Sequence, residues 1–99
     1  LSCGDLSLDK SSFTLSCGER NVRLSRKEFD MMELFMLNQK QVITKENLLV
    51  KIWGYESDAE DNNVEVYVSF LRRKLEHLRS QVKIRTIRMV GYCLEYPAS

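Results

Sequence analysis

Between Asn62 and Leu78 the sequence NNVEVYVSFLRRKLEHL sets Val64, Val68, Leu71, Leu75 and Leu78 at successive spacings of four, three, four and three. That is the stripe of a helix lying against a core, and it predicts a long helix over 62–78. Asn62 is a favoured N-cap residue and Glu65 stands three positions on, so the helix is expected to begin near Asn62 with a reciprocal cap. Opposite the stripe lie Asn62, Val66, Ser69, Phe70, Arg73 and His77, with Arg72 and Lys74 on the flanks. A solvated face would carry Glu and Lys in paired positions, whereas this one mixes amide, hydroxyl, apolar and cationic groups. The mixture suits a nucleic-acid groove, where Asn reads a base edge, an apolar group meets a thymine methyl and Arg or Lys pairs with phosphate or guanine. A helix packed on both sides, with Val66 and Phe70 meeting another element, is the competing reading.

Upstream, Leu6 and Leu8, Phe13 and Leu15, then Val22 and Leu24 alternate with polar neighbours. The alternation predicts an antiparallel meander of short strands, with turns at Asp9 to Ser11 and at Gly18 to Asn21. Ser25 and Glu28 form a capping-box pair ahead of Phe29, Met31, Met32, Leu34, Phe35, Met36 and Leu37. So wide an apolar arc predicts a central helix covered on both sides, its Met residues filling core gaps rather than holding a ligand. Thr44 is placed to cap a second helix presenting Leu48, Leu49, Ile52 and Trp53, and Gly54 to end it. The segment YESDAED then sets Glu56, Asp58, Glu60 and Asp61 just before the long helix. Two readings stand for these carboxylates: favourable charge near a helix N-terminus, and a protein docking surface, since an acidic loop beside a DNA-reading helix is repelled by phosphate. Beyond the long helix, VKIRTIR and GYCLEY read as a hairpin over 82–96 with Gly91 relaxing the turn.

Ninety-nine residues, 43% hydrophobic and 29% charged, leave room for one domain over 1–99 and no second. The formal net charge is only +1, yet it is unevenly spread. Residues 1–61 hold eight Lys or Arg against eleven Asp or Glu, while residues 62–99 hold seven against three, a local basic face of the kind a polyanion partner requires. Cys3, Cys17 and Cys93 are odd in number and widely spaced, with His77 the only histidine. This pattern points to reduced thiols in a cytoplasmic protein, with no disulfide framework, metal or cofactor. No apolar run is long enough for a membrane span or signal peptide, and a chain opening at Leu1 is expected to be a piece of a longer protein.

A capped helix, a second helix, a long helix with a basic outer face and a basic hairpin together make a winged helix-turn-helix. The runs LSRKEFDMMELFM, VITKENLLVKIWG, NNVEVYVSFLRRKL and IRTIRMVGYCLEY, in that order, resemble the DNA-binding effector domain of OmpR/PhoB-type response regulators across nearly the whole chain. The resemblance implies an α+β fold: a four-stranded N-terminal antiparallel sheet, three helices and a C-terminal β-hairpin wing. It implies sequence-specific binding of double-stranded DNA for transcriptional regulation, with the helix over 62–78 in the major groove and the wing over 82–96 in the minor groove. Carried over position by position, Asn63, Val66, Tyr67, Phe70 and Arg73 are groove contacts, with Asn62 serving as the cap. Arg72 and Lys74 meet the phosphate backbone, Thr86 and Arg88 belong to the wing, and Lys45 and Trp53 contact the backbone from the second helix. Core packing is an equal alternative for Trp53 and Tyr67.

The family also implies a receiver domain outside these residues, phosphorylated by a sensor kinase, and a homodimer on direct repeats. The acidic loop over 55–61 stands where such proteins commonly meet RNA polymerase. Two departures bear on the wing: relatives often have Gly where Met89 stands and Arg where Cys93 stands. Ser69 and Phe70 stand where some relatives carry arginines, so the operator of no particular relative carries over. A winged-helix protein interaction module without DNA binding, anchored by Val66 and Phe70, is the competing function. An enzyme is the weakest reading, because no nucleophile, metal cluster or phosphate-binding loop accompanies His77.

Overall fold

A computed structural model describes residues 1–55 and 58–97. Strands β1 (Ser2–Cys3), β2 (Leu6–Asp9), β3 (Thr14–Cys17) and β4 (Arg20–Arg23) pair antiparallel in sequence order. Alternation buries Leu6, Leu8 and Leu15 and leaves Ser7 exposed, as the period of two requires. The first turn forms because Asp9 Oδ1 accepts hydrogen bonds from both the backbone N–H (2.9 Å) and the hydroxyl (2.7 Å) of Ser11. β1 has only two residues and so carries no alternation for the sequence to show. Phe13, expected within a strand, instead takes a φ of 54° ahead of β3 and stacks on Phe29 at 4.6 Å.

Helix α1 (Arg26–Leu37) starts where the sequence places it: Ser25 Oγ accepts the Glu28 N–H at 3.3 Å, and the Glu28 carboxylate accepts the Ser25 N–H at 2.8 Å. Phe29, Met31, Met32, Phe35 and Met36 are all core residues, whereas Leu37 is exposed, so the helix is covered on less of its circumference than its apolar arc implies. Strand β5 (Val42–Thr44) runs directly into α2 (Lys45–Trp53), which is capped by Thr44 Oγ1 accepting from the Asn47 N–H at 3.1 Å. Gly54, at a φ of 91°, ends it.

Helix α3 (Asp61–Leu78) buries Val64, Val68, Leu71, Leu75 and Leu78 as its periodicity dictates. Its start differs from expectation. Glu60 rather than Asn62 is the N-cap residue, and Asn63 Oδ1 accepts the Glu60 N–H at 2.9 Å. With the cap at Glu60, Asn63 is the third helical residue, so Glu65 lies beyond the cap and pairs instead with Lys45 at 3.1 Å. After Arg79 turns left-handed (φ 58°), the Asp5 carboxylate accepts from the Ser80 hydroxyl at 2.6 Å and the Gln81 N–H at 2.9 Å, tying the first sheet to the end of α3.

Strands β6 (Lys83–Ile87) and β7 (Gly91–Glu95) form the expected hairpin, but β5 joins them to make a three-stranded sheet in the order β5-β7-β6. This third strand corrects the role assigned to Gly91. Thr44 pairs with Gly91, and a Cβ there would stand 2.0 Å from the Ile43 carbonyl oxygen, so Gly91 admits a backbone rather than relaxing a turn. The left-handed residue of the turn is Met89, at a φ of 65°.

Candidate nucleic-acid interface

The stripe that holds α3 against the core fixes what its other face presents. Asn62, Asn63, Val66, Phe70, Arg73 and His77 are exposed, with Tyr67 and Ser69 half-buried at its margins. Val66 and Phe70 are 39% and 37% exposed, so neither is buried against a second layer, and the reading of a helix packed on both sides is removed. Phe70 is nevertheless held in place. Its ring meets Tyr67 edge-on at 5.3 Å, Tyr67 meets Trp53 edge-on at 5.3 Å, and Lys27 Nζ lies 5.5 Å from the Trp53 ring centre while donating to the Ile52 carbonyl at 3.1 Å. Trp53 and Tyr67, two expected DNA contacts, thus brace the α2–α3 junction, and their half-exposed edges border the presented face. Lys27 in this stack carries no sequence signal, lying 26 positions from Trp53.

Arg72 has a structural task that the sequence does not reveal. Its guanidinium donates to the Ile84 carbonyl at 2.6 and 3.1 Å and to Thr86 Oγ1 at 2.8 Å, and lies 5.8 Å from the Tyr92 ring centre. It braces α3 against strand β6, and Thr86, expected to face DNA, is the acceptor of that brace. Lys74, expected to meet phosphate, reaches back to the first sheet and α1. Its ammonium lies 2.7 Å from the Glu28 carboxylate, which is 7% exposed, and donates to the Arg23 carbonyl at 3.0 Å. Lys45 is ion-paired to Glu65.

Arg73 on α3 and Arg88 beside the wing turn are exposed cations. The turn is closed by the Val90 N–H donating to the Ile87 carbonyl at 3.0 Å, and its base is tied to α2 by the Lys45 N–H donating to the Val90 carbonyl at 3.2 Å. Met89 is 93% exposed at the tip. Cys93 is buried, paired across the sheet with Val42 and Arg85. Asp58 and Glu60 of the acidic loop are exposed. Glu56 and the side chain of Asp61 lie outside the described residues.

Burial opposes the ionisation of Glu28, yet the bonds from Lys74 and Ser25 outweigh it and hold the carboxyl below its ordinary 4.5. Asp5 behaves alike: burial pushes it up, but donors on Ser80, Gln81 and Cys17 bring it below 3.8. Burial pushes the thiols of Cys3, Cys17 and Cys93 up, away from the thiolate that metal binding needs. Among the described residues, no group of three His, Cys, Asp or Glu could hold a metal, and no helix is long and apolar enough to cross a membrane. The arrangement offers instead a helix face with an exposed cation, an apolar pair and amides, beside a wing that Arg72 braces.

Residues 18–94 match the family described as transcriptional regulatory protein, C terminal. The chain is 44% identical over 95 residues to the transcriptional regulatory protein DltR of Streptococcus agalactiae serotype III (strain NEM316), a match covering 96% of the chain and 42% of that protein. The chain thus spans less than half of that curated relative. Among solved structures, it is similar to the C-terminal domain of the nisin resistance regulator NsrR, a lantibiotic response regulator (TM-score 0.83, 32% identity, 99% of each chain). It is also similar to the Klebsiella pneumoniae RstA DNA-binding domain, solved in complex with the RstA box (TM-score 0.80, 30% identity, 98% of this chain and 97% of that one).

Proposed function

The chain belongs to the family of C-terminal domains of transcriptional regulatory proteins, the OmpR/PhoB type, and from that premise we propose how it works as the sequence-specific DNA-binding output domain of a two-component response regulator. The observation that carries the reading is the exposed face of α3, where Val66, Phe70 and Arg73 stand uncovered beside a wing braced by Arg72. Helix α3 enters the major groove, with Asn63, Val66, Phe70 and Arg73 toward base edges, and the wing sets Arg88 in the adjacent minor groove. Tyr67, Trp53, Lys45 and Thr86 border the duplex, while Arg72 and Lys74 act chiefly from within the fold.

The wider assembly belongs to the same proposal. Residues 1–99 serve as the DNA-binding part of a longer cytoplasmic protein whose receiver domain answers a sensor kinase. Two copies occupy direct repeats, and Asp58 and Glu60, exposed just ahead of α3, offer acidic side chains to RNA polymerase.

Binding to random-sequence duplex DNA across a salt series, followed by sequencing of the bound fraction, tests the reading. Enrichment of a short motif repeated at about one helical turn, with affinity falling steeply with salt, is the expected result. Absence of binding at low salt, or affinity unchanged by both Arg72→Ala and Arg73→Ala, overturns it.

A further inference from the structure

The geometry points to a reader of pyrimidine C5-methyl groups: Val66 and the braced ring of Phe70 form an exposed apolar pair that selects thymines at neighbouring positions of the target. The inference rests on the DNA-binding reading above and specifies what that surface discriminates. Val66 and Phe70 stand four residues apart on α3, one turn and so roughly 6 Å along the axis. That spacing matches one to two steps of a duplex rising about 3.4 Å per base pair. In the major groove the one apolar feature of a base edge is the C5-methyl of thymine; every other feature is a hydrogen-bond donor or acceptor, which an apolar side chain would leave unpaired.

The orientation of Phe70 is held in advance of binding. It stands at the end of an aromatic row, 5.3 Å from Tyr67, which stands 5.3 Å from Trp53, itself covered by Lys27. A ring held in this way loses little rotamer freedom on contact, so the gain from covering a methyl is not spent on ordering. Arg73, exposed on the next turn, supplies the charge that brings the face to the duplex without occupying the same position.

The probe is the duplex enriched from the random pool, compared with copies in which dU replaces each dT in turn, and 5-methyl-dC replaces each dC, with the whole 99-residue chain. Covering one methyl is worth about 0.8 kcal/mol, and about 1.4 kcal/mol is tenfold in affinity, so each contacted dT→dU change is expected to weaken binding about fourfold. Such positions should lie within two steps of each other. The discrimination should vanish at one position in Val66→Ala and at the other in Phe70→Ala, while both variants remain folded and bind the all-dU duplex with like affinity, Phe70→Ala melting lower only by the loss of its edge contact with Tyr67. Phe70→Leu, which keeps an apolar group, should retain part of it.

Sequence-selective binding indifferent to every dU substitution overturns the methyl-reading inference and leaves DNA reading intact. Discrimination that persists unchanged in both alanine variants also overturns it. Loss of all sequence-selective binding overturns the DNA reading together with it.

Discussion

Replacing Lys74 with Met separates two roles that a basic residue on a recognition helix can have. The substitution keeps the length and most of the apolar stem and removes the ammonium that lies 2.7 Å from Glu28 and 3.0 Å from the Arg23 carbonyl. A hydrogen bond to a charged group contributes about 1.5–3 kcal/mol, and breaking a fully buried pair costs about 3–5 kcal/mol. Glu28 is 7% exposed but Lys74 is 29% exposed, so solvent screens one side and the cost falls toward the lower range. The expected loss of unfolding free energy in urea at pH 7 is about 2–3 kcal/mol. At roughly 4–8 °C per kcal/mol for a domain of this size, the melting temperature should fall by about 8–24 °C. The Glu28 carboxyl, left with burial and the Ser25 bonds, should titrate at a higher pH than in the parent chain. Because Lys74 is directed at Glu28, the slope of log affinity for DNA against log salt should not change. A phosphate-contacting Lys74 would behave in the opposite way, leaving stability within about 0.5 kcal/mol and lowering the slope by about one. That outcome would refute the assignment.

Arg73→Ala should leave stability unchanged and weaken binding by about 1–3 kcal/mol if the guanidinium reads a base, measured by titration against the enriched duplex. Arg72→Lys keeps the charge but loses the fork that bridges Ile84 and Thr86, so affinity should fall and wing amides should exchange hydrogen faster; parental exchange rates would count against the brace. Met89→Gly removes the cost of a left-handed side-chain-bearing residue and should raise stability by about 1 kcal/mol in urea titrations. Gly91→Ala drives a Cβ into the Ile43 carbonyl and should destabilise by about 1–3 kcal/mol, read by the same titration. Asp5 and Glu28 are both held below their ordinary 3.8 and 4.5, so near those values the unfolded chain binds more protons. Their contribution is full above pH 4.5 and is lost as pH falls through the depressed values, a slope that Asp5→Asn should flatten in urea titrations from pH 7 to 3.

Local and periodic features were legible without coordinates. The stripe of α3, the Ser25–Glu28 and Thr44 caps, the Asp9 turn and the alternation of Leu6, Leu8 and Leu15 depend on residues a few positions apart, and the chemistry that satisfies them is contained in that short range. The presented face of α3 was legible for the same reason, as the complement of its buried stripe. Contacts between distant segments were not. Strand β5 is three residues long and becomes a strand only because β7 stands beside it, so the close backbone approach at Gly91 has no local signature in the sequence. Lys74 and Glu28 are 46 positions apart, Arg72 and Ile84 belong to different elements, and Lys27 finds Trp53 only across a helix junction. A sequence shows that such a cation exists and which side of its helix it leaves from. Whether it then finds a carboxylate, a carbonyl or solvent depends on which elements pack beside it, and that was decided by the tertiary fold.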